Sequence, residues 1–156
     1  MYNGGFFVFV GTAQGVAGIE VRPEHYFNAS IARLNEARVL AASGAFCTAC
    51  YLAGISVESM LLAFCGGKFD PAHRFDELLK LGMRAKIPSK RTQDIGALIS
   101  AAMQIWRTSM RYYDSVRYRA AMRTRFREAD AERRGAEEMI LIADKVLKIG
   151  MALWTK

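Results

Sequence analysis

Arginine is concentrated in one part of this 156-residue chain, the arginine-rich segment of residues 107–134. The segment holds nine arginines, no lysine and four acidic residues, so it carries a net charge of +5 out of a formal +7 for the whole chain. A guanidinium group offers a planar fork of donors to phosphate oxygens, and its face can stack on a nucleobase. The composition of this segment therefore predicts a surface that binds an anion.

Aromatic side chains are interleaved with these arginines, and aromatic rings can stack on unpaired bases. The segment carries no helix-turn-helix, zinc-finger or RNP motif, so we expect it to bind RNA or single-stranded nucleic acid with low sequence specificity. The residues predicted to bind nucleic acid are Arg107, Arg111, Tyr112, Arg117, Tyr118, Arg119, Arg123, Arg125 and Arg127.

A second interpretation makes the same arginines a solvated helix surface. In that case they form ion pairs at helical spacing with Glu128, Asp130 and Glu132. Such pairs account for some of the arginines, but they cannot neutralise an excess of five positive charges. The charge balance therefore favours anion binding and leaves the second interpretation open.

The cysteines offer a further candidate for chemistry, because Cys47 and Cys50 form a C-x-x-C pattern. A redox pair of this kind sits at a helix start that stabilises the thiolate, whereas here the pattern lies inside an apolar helical stretch. Zinc requires four ligands, and the two histidines, His25 and His73, are far apart in the sequence. We therefore expect buried, inert thiols, no metal site and no cofactor.

Hydrophobic periodicity predicts an all-α fold, an antiparallel bundle of four long helices plus one short helix, with an N-terminal β-hairpin. The hairpin is predicted over residues 1–22 from two β-branched runs around a glycine-containing turn, and the bundle over residues 23–156. The last helix is predicted to run without a break from Thr124 to Trp154, and residues 115–121 are expected to be irregular. No stretch of about 18 apolar residues predicts a membrane span, and the apolar N-terminal residues lack a basic region, so we expect a cytoplasmic protein.

Three stretches of this chain resemble the HEPN superfamily: residues 51–62 (YLAGISVESMLL), residues 73–79 (HRFDELL), and residues 106–113, which are similar to the segment where that family carries an arginine-tyrosine pair. The similarity covers approximately residues 26–154. It implies a helical bundle that forms a homodimer and binds RNA or nucleotides, and in many members cleaves RNA without a metal ion.

The resemblance also implies which residues would perform cleavage. Cleaving members carry an arginine followed, after four to six residues, by a histidine at the dimer cleft. Arg111 matches that arginine, but Val116, Arg117 and Tyr118 occupy the positions for the histidine. Histidine can transfer protons near neutral pH, whereas arginine stays protonated. The sequence therefore predicts nucleic-acid binding without nuclease activity.

Two other functions remain open. One is a metal-independent ribonuclease toxin of a toxin-antitoxin system, with Tyr118 or Asp114 in place of the histidine. The other is a protein-interaction module that docks a nucleotidyltransferase-like antitoxin partner. Glu58 and His73 are interpreted as structural polar residues, Glu58 as an ion pair with an arginine such as Arg107 or Arg111.

Overall fold

A computed structural model describes residues 21–65 and 78–154 of the chain. These residues form six α-helices and one short 3-10 helix. In chain order they are α1 (Pro23–Ala42), α2 (Phe46–Phe64), α3 (Leu78–Arg84), α4 (Ser89–Met103), the 3-10 helix (Thr108–Tyr112), α5 (Ser115–Phe126) and α6 (Ala131–Trp154).

Helix α2 is the centre of the bundle, as its apolar character on nearly all sides predicts. It packs against α1 and α6 and also contacts α3 and the 3-10 helix. Cys50, Ala53 and Val57 on this helix are completely buried. In the part of the chain that the structure describes, α2 is the one helix long and apolar enough to cross a membrane, but 61% of that stretch is buried inside the fold. A buried core helix has the same length and composition, so α2 does not indicate a membrane protein.

The all-α class is confirmed, and the N-terminal β-hairpin is not supported. No strand occurs within residues 21–65 and 78–154, and most of the predicted hairpin, residues 1–20, lies outside the described residues. Val21 and Arg22 have no regular secondary structure, and Pro23 is the first residue of α1. Proline suits a first helical position because its missing N–H would have no partner in the helix there.

The prediction of one unbroken helix from Thr124 to Trp154 is wrong, because residues 127–130 separate α5 from α6. Residues 115–121, expected to be irregular, belong to α5. The side chain of Asp114 caps the start of α5 by accepting a hydrogen bond from the Arg117 backbone N–H at 2.7 Å. Arg127 ends α5 with a left-handed backbone, at φ 52° and ψ 23°. Sequence reasoning missed this break because the left-handed position is occupied by arginine and not by glycine.

Candidate anion-binding site

Helix α5 carries much of the arginine-rich segment, and two of its side chains fasten it to α6. Tyr118 and Met122 are buried, and both pack against Gly135 of α6. The Tyr118 hydroxyl donates a hydrogen bond to the backbone carbonyl of Glu132 at 3.0 Å. Tyr118 is 0% exposed, so its ring cannot stack on a base. This corrects the prediction that Tyr118 belongs to the nucleic-acid-binding surface.

Three arginines of the segment are paired with carboxylates. Arg119 Nε lies 2.8 Å from Glu132 Oε2 and Arg125 Nη2 lies 3.4 Å from Glu138 Oε1, so both connect α5 to α6. Arg133 pairs with Asp130, in the loop that precedes its own helix. Glu132 and Asp130 are two of the three carboxylates that the ion-pair interpretation named, whereas Glu138 is not among them. Exposed pairs of this kind contribute about 0–1 kcal/mol.

The other six arginines of the segment have no carboxylate within 4 Å in the described part of the chain. All six are exposed to solvent. Two of them lie over tyrosine rings instead: the Arg111 guanidinium carbon is 5.0 Å from the centroid of Tyr112, and that of Arg117 is 5.7 Å from the centroid of Tyr113. The six residues are Arg107, Arg111, Arg117, Arg123, Arg127 and Arg134.

The four arginines of α5 do not share a single face of the helix. With 3.6 residues per turn, Arg119 and Arg123 leave α5 on one flank, and Arg117 and Arg125 leave it on the other. The buried stripe that contains Tyr118 runs between the two flanks. The prediction of one arginine surface is therefore refined to two flanks of α5, of which the one with Arg117 and Arg125 borders a groove.

This arginine groove lies between α5 and the chain that leads from α4 into the 3-10 helix, and its volume is about 360 Å³. Arg107 and Arg125 line it from its two sides. Ile105, Met110 and Met122 are buried and contribute its apolar part. The remaining lining residues are Gln104, Tyr113, Ala121 and Thr124. Two of the predicted binding residues therefore come together here from positions 18 apart in the sequence.

Sequence reasoning counted Tyr113 among the aromatic residues interleaved with the arginines, but it did not assign Gln104, Tyr113 or Thr124 to the predicted site. Tyr113 offered a signal, because it is an aromatic residue four positions before Arg117, and the structure places the two side chains together. Gln104 and Thr124 offered none, since their place in the groove depends on how α4 and α5 are arranged in space.

The cysteines near this region are protonated thiols. Burial raises the pKa of the Cys50 thiol to about 12. Burial also raises the pKa of Cys47, and the negative charges of Asp114 and Glu132 raise it further. The Cys47 thiol donates a hydrogen bond to the backbone carbonyl of Tyr113 at 3.6 Å. Elevated pKa values oppose thiolate chemistry, and among the described residues no cluster of three or more His, Cys, Asp or Glu side chains could hold a metal ion.

Of the two residues interpreted as structural, one can be placed. Glu58 lies partly buried on α2, close enough to Tyr51 to contribute to the raised pKa of that tyrosine, which burial raises most. An ion pair of Glu58 with Arg107 or Arg111 stays a prediction. His73 lies outside the described residues.

Comparisons of this chain with protein-family models, with curated proteins and with solved structures find no match.

Proposed function

We propose that this protein is a HEPN-like, cytoplasmic, dimeric RNA-binding protein that binds single strands through its arginine-rich segment and does not cleave them. The observation that carries the proposal is the set of six exposed arginines that have no carboxylate partner among the described residues. Of these, Arg107 lines the arginine groove, and Arg117 lies over Tyr113, the tyrosine that lines it. Charge that the fold does not neutralise is available to an external polyanion, and release of counterions from the phosphates then drives binding.

The lack of a histidine in the arginine-rich segment supports binding without cleavage. Residues 107–134 contain no histidine, and their arginines stay protonated at neutral pH. The two residues considered as substitutes for the histidine make structural hydrogen bonds. The Tyr118 hydroxyl donates to the Glu132 carbonyl, and the Asp114 carboxylate caps α5. Burial raises the pKa of Tyr118 strongly, which further disfavours its loss of a proton. These contacts favour the binding function over the ribonuclease alternative.

The experiment that tests the proposal removes the same number of arginines from two places. The site variant combines Arg107→Ala, Arg117→Ala and Arg123→Ala, which are unpaired in the described structure. The control variant combines Arg33→Ala, Arg38→Ala and Arg91→Ala, which pair with Glu36, Asp144 and Asp94. Both variants lose three positive charges, so the long-range effect of net charge is matched.

Fluorescence anisotropy with a short labelled RNA measures the affinity of each form. The site variant is expected to bind at least about tenfold more weakly than the wild type, with a shallower salt dependence, because fewer counterions are released. The control variant is expected to remain within about twofold of the wild type. An equal loss in both variants, or no binding by the wild type at low salt, overturns the proposal. Cleavage of RNA in the presence of a chelator supports the ribonuclease alternative instead.

A further inference from the structure

The arginine groove combines two kinds of lining that suit different parts of one ligand. Arg107 and Arg125 supply positive charge, and one of the two is partly neutralised, by Glu138 at 3.4 Å from Arg125. Ile105, Met110 and Met122 supply an apolar surface that carries no charge. A simple inorganic anion would use only the arginines. A ligand with a negative group attached to a flat, weakly polar body would use both linings.

The volume of the groove limits the size of the flat part of such a ligand. Its volume of about 360 Å³ is near the lower end of the range of small-molecule pockets, about 300–1,000 Å³. A single nucleotide is a ligand of this class. A double helix presents its bases stacked and paired, so it can offer only its backbone to such a groove.

Tyr113 gives the groove an aromatic lining residue whose backbone is held by two hydrogen bonds. Its backbone N–H donates to the Met110 carbonyl at 3.0 Å, and its own carbonyl accepts the hydrogen bond from Cys47 on α2. Arg117 lies over its ring. Base–aromatic stacking contributes about 1–3 kcal/mol per base, equivalent to roughly 5- to 150-fold in affinity.

We infer that the arginine groove holds one unstacked base of a single strand against Tyr113 and the apolar lining, with the adjoining phosphate between Arg107 and Arg125. This inference rests on the proposed function and narrows it, because it makes the protein selective for strands that can expose a base. The other arginines then contact the phosphates on either side without regard to sequence.

Two neighbouring alanines of α5 allow a test that leaves every charge in place. Ala121 lines the groove, whereas Ala120 is exposed and does not line it. Ala121→Leu fills the groove, and Ala120→Leu adds the same side chain outside it. Both changes are made in the full chain, and circular dichroism confirms that each variant is helical.

The probes are a single-stranded DNA oligonucleotide and the same strand built with abasic sites. We expect the wild type to bind the normal strand at least about fivefold more tightly than the abasic strand. Ala121→Leu is expected to abolish that preference, because the leucine side chain occupies the space of the base. Ala120→Leu is expected to keep the preference.

Failure of this inference is distinguishable from failure of the proposed function. If the wild type binds normal and abasic strands equally, the base-binding inference is overturned and the proposed phosphate binding stands. If the wild type binds neither strand at low salt, the proposed function fails. The comparison of the two strands on the wild type needs no variant, so the inference stays testable even if Ala121→Leu does not fold.

Discussion

The indole of Trp106 packs directly on the backbone of Gly54, and its Nε1–H donates a hydrogen bond to the carbonyl of Tyr51 at 3.0 Å. A Cβ at position 54 would overlap the indole ring, which is only 2% exposed and has no space to move into. This contact fixes the chain that follows α4 against α2, and Arg107 comes directly after it. The position of the arginine groove therefore depends on a glycine that is distant in sequence.

We predict that Gly54→Ala destabilises the protein by at least about 1–3 kcal/mol, the usual cost of overpacking a filled core. Urea unfolding followed by circular dichroism measures the change. Gly96→Ala on α4 is the matched control, because a Cβ there meets nothing within 4 Å. The control is expected to gain up to about 1 kcal/mol from the better helix propensity of alanine. Equal stability of the two variants would show that the Trp106 contact is not tight.

We predict that Arg127→Gly stabilises the fold by about 1–2 kcal/mol relative to Arg127→Ala. Arg127 has a φ of 52°, and a residue with a Cβ pays roughly this cost in the left-handed region, whereas glycine does not. Both variants lose the same guanidinium, so the difference in their free energies of unfolding isolates the backbone effect. If the two variants unfold at the same urea concentration, the left-handed backbone conformation assigned to Arg127 is contradicted.

Tyr118→Phe is expected to cost about 0.5–1.5 kcal/mol of stability, because it removes the hydrogen bond to the Glu132 carbonyl. The same change is expected to leave RNA affinity unaltered, since the ring is buried. Tyr112→Phe serves as the control for stability, because Tyr112 is 73% exposed and its hydroxyl has no such partner in the described structure. Thermal unfolding and RNA anisotropy together check this prediction. Loss of RNA affinity in Tyr118→Phe would restore that residue to the binding surface.

Asp144 joins α1 to α6 through Arg38 at 2.5 Å and also pairs with Lys148 at 2.6 Å. The hydrogen bond from Lys148, together with the positive charges of Lys148 and Arg38, lowers the pKa of Asp144 from its ordinary value of 3.8. A lowered pKa contributes stability that is present above pH 3.8 and is lost as the pH falls through the lower, folded-state value. The contribution is at most about 1 kcal/mol, because the pair is partly exposed.

We therefore predict that Asp144→Asn is less stable than the wild type at neutral pH and that the difference disappears in acid. Urea unfolding at pH 7 and near pH 3 measures the difference, with Asp94→Asn as a control whose ion-pair partner, Arg91, lies 3.6 Å away on the same helix. A difference between wild type and Asp144→Asn that stays constant over this pH range would contradict the assignment.

The sequence was sufficient to predict the long helices because their burial follows a helical period. On α6, for example, Ala136, Ala143, Leu147 and Gly150 lie at helical spacing and are all buried. Helix α2 is apolar nearly all round and is correspondingly central. When apolar side chains recur at helical spacing, the sequence alone shows which face of the helix will be buried.

Helix α5 could not be predicted in the same way. Four of its twelve residues are arginines, and its buried stripe of Tyr118 and Met122 gives little periodicity. The ion pairs of Arg119 and Arg125 with α6 join residues 13 positions apart across a loop, and that geometry exists only once the helices pack. For the same reason the sequence predicted the net positive charge of the segment but not which arginines remain unpaired.

The dependence of RNA affinity on salt concentration tests the central claim most directly. For single strands the slope of log K against log salt is about −0.7 per neutralised phosphate, so engagement of three to six of the arginines that are unpaired in the described structure predicts a slope between about −2 and −4. Anisotropy titrations of the wild-type protein from about 50 to 200 mM salt supply this number. A slope in that range supports binding through the unpaired arginines, whereas affinity that is flat with salt, or no measurable binding at the low-salt end, contradicts the account.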